Sequence, residues 1–152
     1  MLVLFVELLI REFTLDDISS ILNLLYDLDR PRPLDDDEAE IFKNKISDYF
    51  LDSQKNIIVA QQDTKIFGVV SIIYLRRLNH DKIEMYIPEL IVAEKLRCLG
   101  IGKKLIQYCI KLAKKKNCYR IRLESGTSRK KSHKFYKSMG FEQSARFFSR
   151  HV

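Results

Sequence analysis

Two periods of apolar residues run through the chain, one of about 3.6 and one of two, and they predict helices and strands in alternation. Leu8 to Phe13 reads as a first strand. Thr14 then opens a T-x-x-D cap signal, and Ile18, Ile21, Leu22, Leu25 and Leu28 follow at helical spacing, which predicts a helix from Leu15 to Asp29. Arg30-Pro31-Arg32-Pro33 ends it, because a proline disfavours helix in the residue before it. The acidic run Asp35-Asp36-Asp37-Glu38 begins a second helix to about Leu51, with Ala39, Phe42, Ile46, Tyr49 and Phe50 as its inward stripe. Asn56 to Gln61 and Ile66 to Leu75 are β-rich and joined by Gln62-Asp63-Thr64-Lys65, a hairpin. After the polar turn Arg76 to Lys82, the run Ile83 to Val92 reads as a central strand. Leu105, Ile106, Cys109, Leu112 and Ala113 then mark an amphipathic helix with lysines on its outer face. Tyr119 to Glu124 alternates in period two. Ser128 to Met139 predicts a fourth helix stopped by Gly140, and Phe141 to Val152 predicts one or two closing strands. Three antiparallel strands ahead of the central helix make an α+β order, not a repeated βαβ winding.

Between the central strand and its helix lies Arg97-Cys98-Leu99-Gly100-Ile101-Gly102. A turn of this kind offers an anion the unpaired first N–H groups of the helix at the positive end of its dipole. Gly100 and Gly102 lack a Cβ, so a phosphate can approach the backbone closely. Pro88 adds a second signal. A proline inside a central strand removes a ladder hydrogen bond and marks an edge or a bulge.

Composition narrows the class without choosing a function. The chain has 152 residues, 46% hydrophobic and 31% charged, which suits one soluble domain over residues 1–152. The apolar start, MLVLFVELLI, is too short to span a bilayer, carries Glu7, and lacks a basic n-region and a cleavage site, so it reads as a first strand with a short leader. Cys98, Cys109 and Cys118 are odd in number and without metal spacing, so reduced thiols in a cytoplasmic setting are the simplest account, with no metal site. A net charge of +7 favours anionic partners. Nucleic acid is one such partner, but the chain lacks the interleaved aromatic and basic pattern of a stacking platform, and Lys114-Lys115-Lys116 suits the solvated end of a helix.

The R-x-x-G-x-G of residues 97–102, after a strand and opening a helix, resembles the acetyl-CoA pyrophosphate loop of the GNAT N-acetyltransferase superfamily. Downstream, Ser132-His133-Lys134-Phe135-Tyr136-Lys137-Ser138-Met139-Gly140-Phe141 is similar to that family's A-H-x-F-Y-x-x-x-G-F signature. The likeness covers nearly the whole chain from about Leu8. It implies an α+β fold in α/β/α layers, with a mixed, mostly antiparallel sheet of six to seven strands and about four helices. It also implies transfer of an acetyl group from acetyl-CoA to a primary amine by direct attack in a ternary complex. The cofactor would be held by the backbone of Arg97, Cys98, Leu99, Gly100, Ile101 and Gly102 with the charges of Arg97, Lys103 and Lys104. The backbone of Leu90, Ile91 and Val92 would pair with its pantetheine arm.

For catalysis the resemblance implies Tyr136 as the acid that protonates the leaving thiolate. Glu89 would be the base that frees the amine of its proton, with Glu84 as the second candidate. His133 belongs to the same signature and reads as a packing or hydrogen-bonding residue. Two departures stand out. Ser132 replaces the usual alanine. The asparagine often found after the strand following the loop helix is absent, and Ser125 or Thr127 of Glu124-Ser125-Gly126-Thr127 would substitute for it at the cofactor. The region from Tyr26 to Asp37 and the turn from Tyr74 to Lys82 would line the acceptor site, and homodimers are common in the family. Two other readings stand beside the enzyme: a non-catalytic acyl-CoA-binding regulator on the same fold, and a basic nucleic-acid-binding domain. The acceptor itself is not encoded in any motif.

Overall fold

The computed structural model describes residues 7–28 and 30–152. The expected short leader before the first strand, and Asp29 at the expected end of the first helix, lie outside these residues. Contacts group the chain into two compact units, Met1–Arg122 and Leu123–Val152.

A six-stranded sheet forms the first unit's framework, in the order β1-β2-β3-β4-β6 with β5 paired to β3. The strands are β1 (Leu9–Glu12), β2 (Lys55–Gln62), β3 (Lys65–Leu75), β4 (Glu84–Ile87), β5 (Leu90–Val92) and β6 (Arg120–Leu123). The β1–β2, β2–β3, β3–β4 and β3–β5 ladders are all antiparallel. The helices are α1 (Ile18–Asp27), α2 (Asp36–Leu51), α3 (Ile101–Lys115) and α4 (Lys130–Ser138). The expected first helix starts as a 3-10 turn, Leu15–Asp17, before becoming α-helical. There Arg11 grips Asp17 with both terminal nitrogens at 2.7 and 2.9 Å, and Asp17 also accepts from the Thr14 N–H at 2.7 Å.

Alternation sorts the strand residues to two faces. Ile57, Val59, Val69 and Ile91 join Phe13, Ile21 and Leu24 in one cluster, with Ile46 and Tyr49 of α2 packed on it. On the other face, Gly68 and Ala60 receive Ile101 and Leu105 of α3. The stripe predicted for α3 is buried at Leu105, Ile106, Cys109 and Ala113 and half-buried at Leu112. Asn117, at φ 56°, turns the chain out of α3, and the Cys118 N–H closes on the Ala113 carbonyl at 2.8 Å. The α2 stripe is shallower than expected: its members are half-buried, and Phe50 is 51% exposed while meeting the Phe13 ring edge-on.

Two expectations need correction. The central run Ile83 to Val92 is not one strand but two, broken at Pro88 and Glu89. The closing strands expected within 141–152 do not form; that segment is irregular, so the sheet has six strands. Phe147 and Phe148 stand 67% and 87% exposed there, so the β propensity of the segment is not backed by burial. Gly140 does stop α4 as expected, at φ 88°, with the Phe141 N–H on the Tyr136 carbonyl at 3.1 Å.

Gly68 reports how tightly α3 sits. A Cβ there would lie 2.9 Å from both Ile101 Cγ2 and Leu105 Cδ1. Gly68→Ala is expected to destabilise the fold by about 1–3 kcal/mol in urea unfolding, because the branched Ile101 cannot swing aside. Unchanged stability would mean that the helix stands farther from the sheet.

Candidate functional site

The break in the central strand can be counted. Between the Val70–Leu90 and Ile73–Tyr86 pairs, β3 places residues 71 and 72 while its partner places 87, 88 and 89. One extra residue is a β-bulge, and Pro88, which has no N–H for the ladder, sits in it. β4 continues into the sheet beside β6, whereas β5 pairs only with β3 among the described residues.

The free edge of β5 has a definite chemistry. The Glu89 carbonyl accepts from Ser71 N–H, and the Ala93 N–H donates to the Phe67 carbonyl. Alternation then turns the backbone of Ile91 toward β3 and that of Leu90 and Val92 toward the open edge. Of the three residues expected there, Leu90 and Val92 therefore offer backbone groups. Ile91 instead buries its side chain with Val59 and Val69. The Val92 carbonyl accepts from Arg97 Nε at 3.3 Å, which anchors the next loop to this edge.

That loop is built for free amides. Cys98 has φ 64° and Gly100 has φ 86°, two left-handed residues flanking Leu99. A Cβ on Gly100 would meet nothing within 4 Å. Among the described residues, no carbonyl or side chain accepts from the N–H groups of Cys98, Leu99, Gly100, Ile101, Gly102 and Lys103, whereas the Lys104 N–H is taken by the Gly100 carbonyl. Such a run of N–H groups at a helix N-terminus is an anion cradle. Cys98, Leu99, Lys103 and Lys104 are exposed beside it, with Gly102 half-buried and Ile101 buried.

Glu89 lies in the bulge with its side chain exposed, and its Oε2 accepts from Ser71 Oγ at 2.8 Å. Glu84, the second candidate base, has another role. It is fully buried and accepts from Arg120 Nε, from Arg122 Nε at 2.9 Å and from Tyr119 Oη at 3.1 Å. Burial pushes its carboxyl up, but the bonds from Arg122, Arg120 and Tyr119 pull it down further, to a net value below the usual range. A carboxylate held ionised by two guanidiniums is a poor proton acceptor. Its work is to fix β6 to β4. His80 stacks on Tyr119 at 3.8 Å between ring centroids, so the turn from Arg76 to Lys82 is pinned to the same cluster.

In the second unit, burial pushes the Tyr136 phenol up, with Arg129 opposing, so the hydroxyl stays protonated at neutral pH. Its ring packs against Phe135 and Phe141. Ser125 Oγ is buried with no partner among the described residues, which fits a place that a ligand's polar atom completes. Thr127, its alternative, is exposed. His133 Nε2 stands 2.8 Å from the Gly126 carbonyl, closing the loop onto α4. That is the hydrogen-bonding role its position suggested.

The acidic run before α2 is partly accounted for by capping. Asp35 accepts from the Glu38 N–H at 2.8 Å, and Glu38 from the Leu34 N–H at 2.6 Å. Of the two segments expected to line an acceptor site, the first includes Asp29, outside the described residues; Tyr26 there carries Arg32 over its ring at 4.9 Å. Cys109 is sealed in the core, its thiol pushed up to about 12 by burial, while Cys98 is exposed. Among the described residues, no cluster of three or more His, Cys, Asp or Glu side chains is arranged to hold a metal. Nor is any helix there long and apolar enough to cross a membrane.

The acetyltransferase (GNAT) family model matches residues 17–141. The chain belongs to that family. Its members generally use acetyl-CoA as cosubstrate. Solved structures share the fold along almost the whole chain. A transcriptional regulator from Bacillus halodurans C-125 is 24% identical with a TM-score of 0.86, covering 96% of this chain and 100% of its own. An acetyltransferase from Trypanosoma brucei is 26% identical with a TM-score of 0.80, over 96% and 100% of the two chains. Glucosamine-6-phosphate N-acetyltransferase from Arabidopsis thaliana is 19% identical with a TM-score of 0.80, over 95% and 98%.

Sequence reasoning had missed Ser71, the polar residue of an otherwise apolar strand core and 3% exposed. The signal was there: a lone hydroxyl amid Val69, Val70, Ile72 and Ile73 needs a partner.

The Glu84 cluster makes stability pH-dependent with a definite sign. Its folded-state pKa is depressed, so the stability it adds is present above the unfolded value and lost as pH falls through the folded one. Glu84→Gln is expected to cost about 1–3 kcal/mol at neutral pH. It should also flatten the acid side of the stability curve. Chemical unfolding from pH 7 to pH 3 checks this, and an unchanged acid limb would remove Glu84 from the account.

Proposed function

We propose that residues 1–152 act as one N-acetyltransferase domain that moves the acetyl group of acetyl-CoA to a primary amine by direct attack. The observation that carries this reading is the run of unpartnered amides from Cys98 to Lys103, next to the free edge of β5. A diphosphate fits the cradle because its anionic oxygens take N–H groups that have no other acceptor, and the bare Gly100 leaves room for it.

Acetyl-CoA supplies the activated thioester. The amides from Cys98 to Lys103 hold its diphosphate, with Arg97, Lys103 and Lys104 adding charge. The backbone groups of Leu90 and Val92 pair with the amides of its pantetheine arm, and Ser125 Oγ takes a further polar contact. Glu89 accepts the proton that an ammonium must lose before its nitrogen has a lone pair. The freed amine attacks the thioester carbonyl carbon, forming the C–N bond; the nitrogen gives up its second proton to water as the C–S bond breaks. Tyr136 donates its phenolic proton to the departing sulfur. Water returns a proton to Tyr136, and Glu89 releases its own to solvent, so the site is reset. The three lysines and arginines at the cradle account for part of the basic charge without nucleic acid, and the reaction places the protein where acetyl-CoA is available, as in the cytoplasm.

Isothermal titration with acetyl-CoA is expected to give a micromolar Kd. A panel of small amines, peptides and aminoglycosides with acetyl-CoA is expected to release free thiol with at least one acceptor. Tyr136→Phe should lower kcat about a hundredfold or more and leave acetyl-CoA affinity nearly intact. Equal losses of affinity and rate would argue against the acid role. Binding without thiol release from any acceptor would mark a non-catalytic acyl-CoA binder.

A further inference from the structure

Ser71 lies in β3 on the face that meets α1 and α2, between Val69 and Ile73, and is 3% exposed. A buried hydroxyl there costs stability unless it is hydrogen-bonded. Three hydrogen bonds join Ser71 to Glu89. Its Oγ donates to Glu89 Oε2 at 2.8 Å and accepts from the Glu89 N–H at 3.1 Å. Its own N–H donates to the Glu89 carbonyl at 3.0 Å. In a regular ladder the Glu89 N–H would donate to the Ser71 carbonyl; the bulge diverts it to the hydroxyl.

Two consequences follow for the carboxylate. The bulge reverses which face an odd-numbered residue takes, so Glu89 shares the α1 and α2 side with Ile91 and does not point at α3. The Ser71 bond then engages Oε2 alone, and Oε1 has no partner among the described residues. Tyr49 of α2 faces the same pair. Burial and the Glu89 charge push its phenol up, while the Ser71 hydroxyl pulls the other way.

We infer that Ser71 is a positioning residue for the acetyl transfer: its hydroxyl and amide fix Glu89 by one carboxylate oxygen and the backbone, leaving the other oxygen aimed at the amine. This rests on the reading of Glu89 as the base. A freely rotating glutamate in an exposed bulge would spend most of its time in other rotamers, and misplacement by about 1 Å costs up to about a hundredfold in rate.

The test is a double-mutant cycle in kcat with Ser71→Ala, Glu89→Gln and the pair, alongside acetyl-CoA affinity and urea unfolding of each variant. Ser71→Ala is expected to lower kcat about tenfold with acetyl-CoA affinity unchanged. Ser71→Thr, which keeps the hydroxyl, should recover most of that loss. In the Glu89→Gln background, Ser71→Ala should add no further loss, because a residue acting through another is silent once that partner is gone. An equal loss in both backgrounds, or none in either, overturns the inference while leaving the enzyme reading intact. Full activity in Glu89→Gln alone overturns the base assignment and this inference with it. Absence of transfer by the unaltered protein to every acceptor overturns the enzymatic reading first.

Discussion

The structure depends on one surplus residue in its central strand. Pro88 cannot join the ladder, and the chain absorbs it by bulging between Ile87 and Leu90. Before the bulge, β4 lies between β3 and β6 and is closed on both sides. After it, β5 keeps β3 and gives up its other neighbour. A sheet edge left open in this way exposes N–H and C=O groups that want partners. The next turn, hung from the Val92 carbonyl by Arg97, brings the amides that open α3 alongside that edge. An open edge and a helix start thus become neighbours through a single local irregularity.

Two glutamates, one ahead of the bulge and one in it, show how environment divides labour. Glu84 is fully buried, so it needs compensating charge, which two arginines from β6 provide, while the Tyr119 hydroxyl adds a hydrogen bond. Ionised and saturated, it is a fastener. Glu89 is exposed and tied by one oxygen to a neutral hydroxyl. It keeps acceptor capacity. Sequence distance does not separate these roles, since only five positions part the two and both lie in the same apolar run. Their surroundings do: Glu84 lies in β4 between β3 and β6, within reach of the β6 arginines, whereas Glu89 lies in the bulge where that second neighbour is gone.

Much of this was legible from the residues. Period and turn chemistry placed α3, the β2–β3 hairpin and the Gly140 stop close to where they lie, because local signals there agree with the packing. Pro88 announced the bulge, since the missing N–H is a property of the residue itself. What escaped depends on contacts between distant segments. Glu84 could not be told from Glu89 without Arg120 and Arg122, which are more than thirty positions away. Ser71 looked like a polar interruption of a strand until the bulge delivered Glu89 to it. The expected closing strands failed for a different reason: Phe147 and Phe148 promise β structure by propensity, but both are left exposed, and propensity without burial does not make a strand.

The left-handed residues in the loop before α3 argue independently that the cradle has a purpose. Gly100 takes φ 86° at little cost, as glycine does. Cys98 at φ 64° does not; for a residue with a Cβ that region costs on the order of 1 kcal/mol. The side chain is a free thiol and exposed. The geometry instead gathers consecutive N–H groups onto one concave surface, the kind of surface that suits an anion. Strain of this kind, carried by an exposed residue, points outward to a ligand. Water can satisfy those amides singly, but a diphosphate satisfies several together and meets the helix dipole with the charge that it favours.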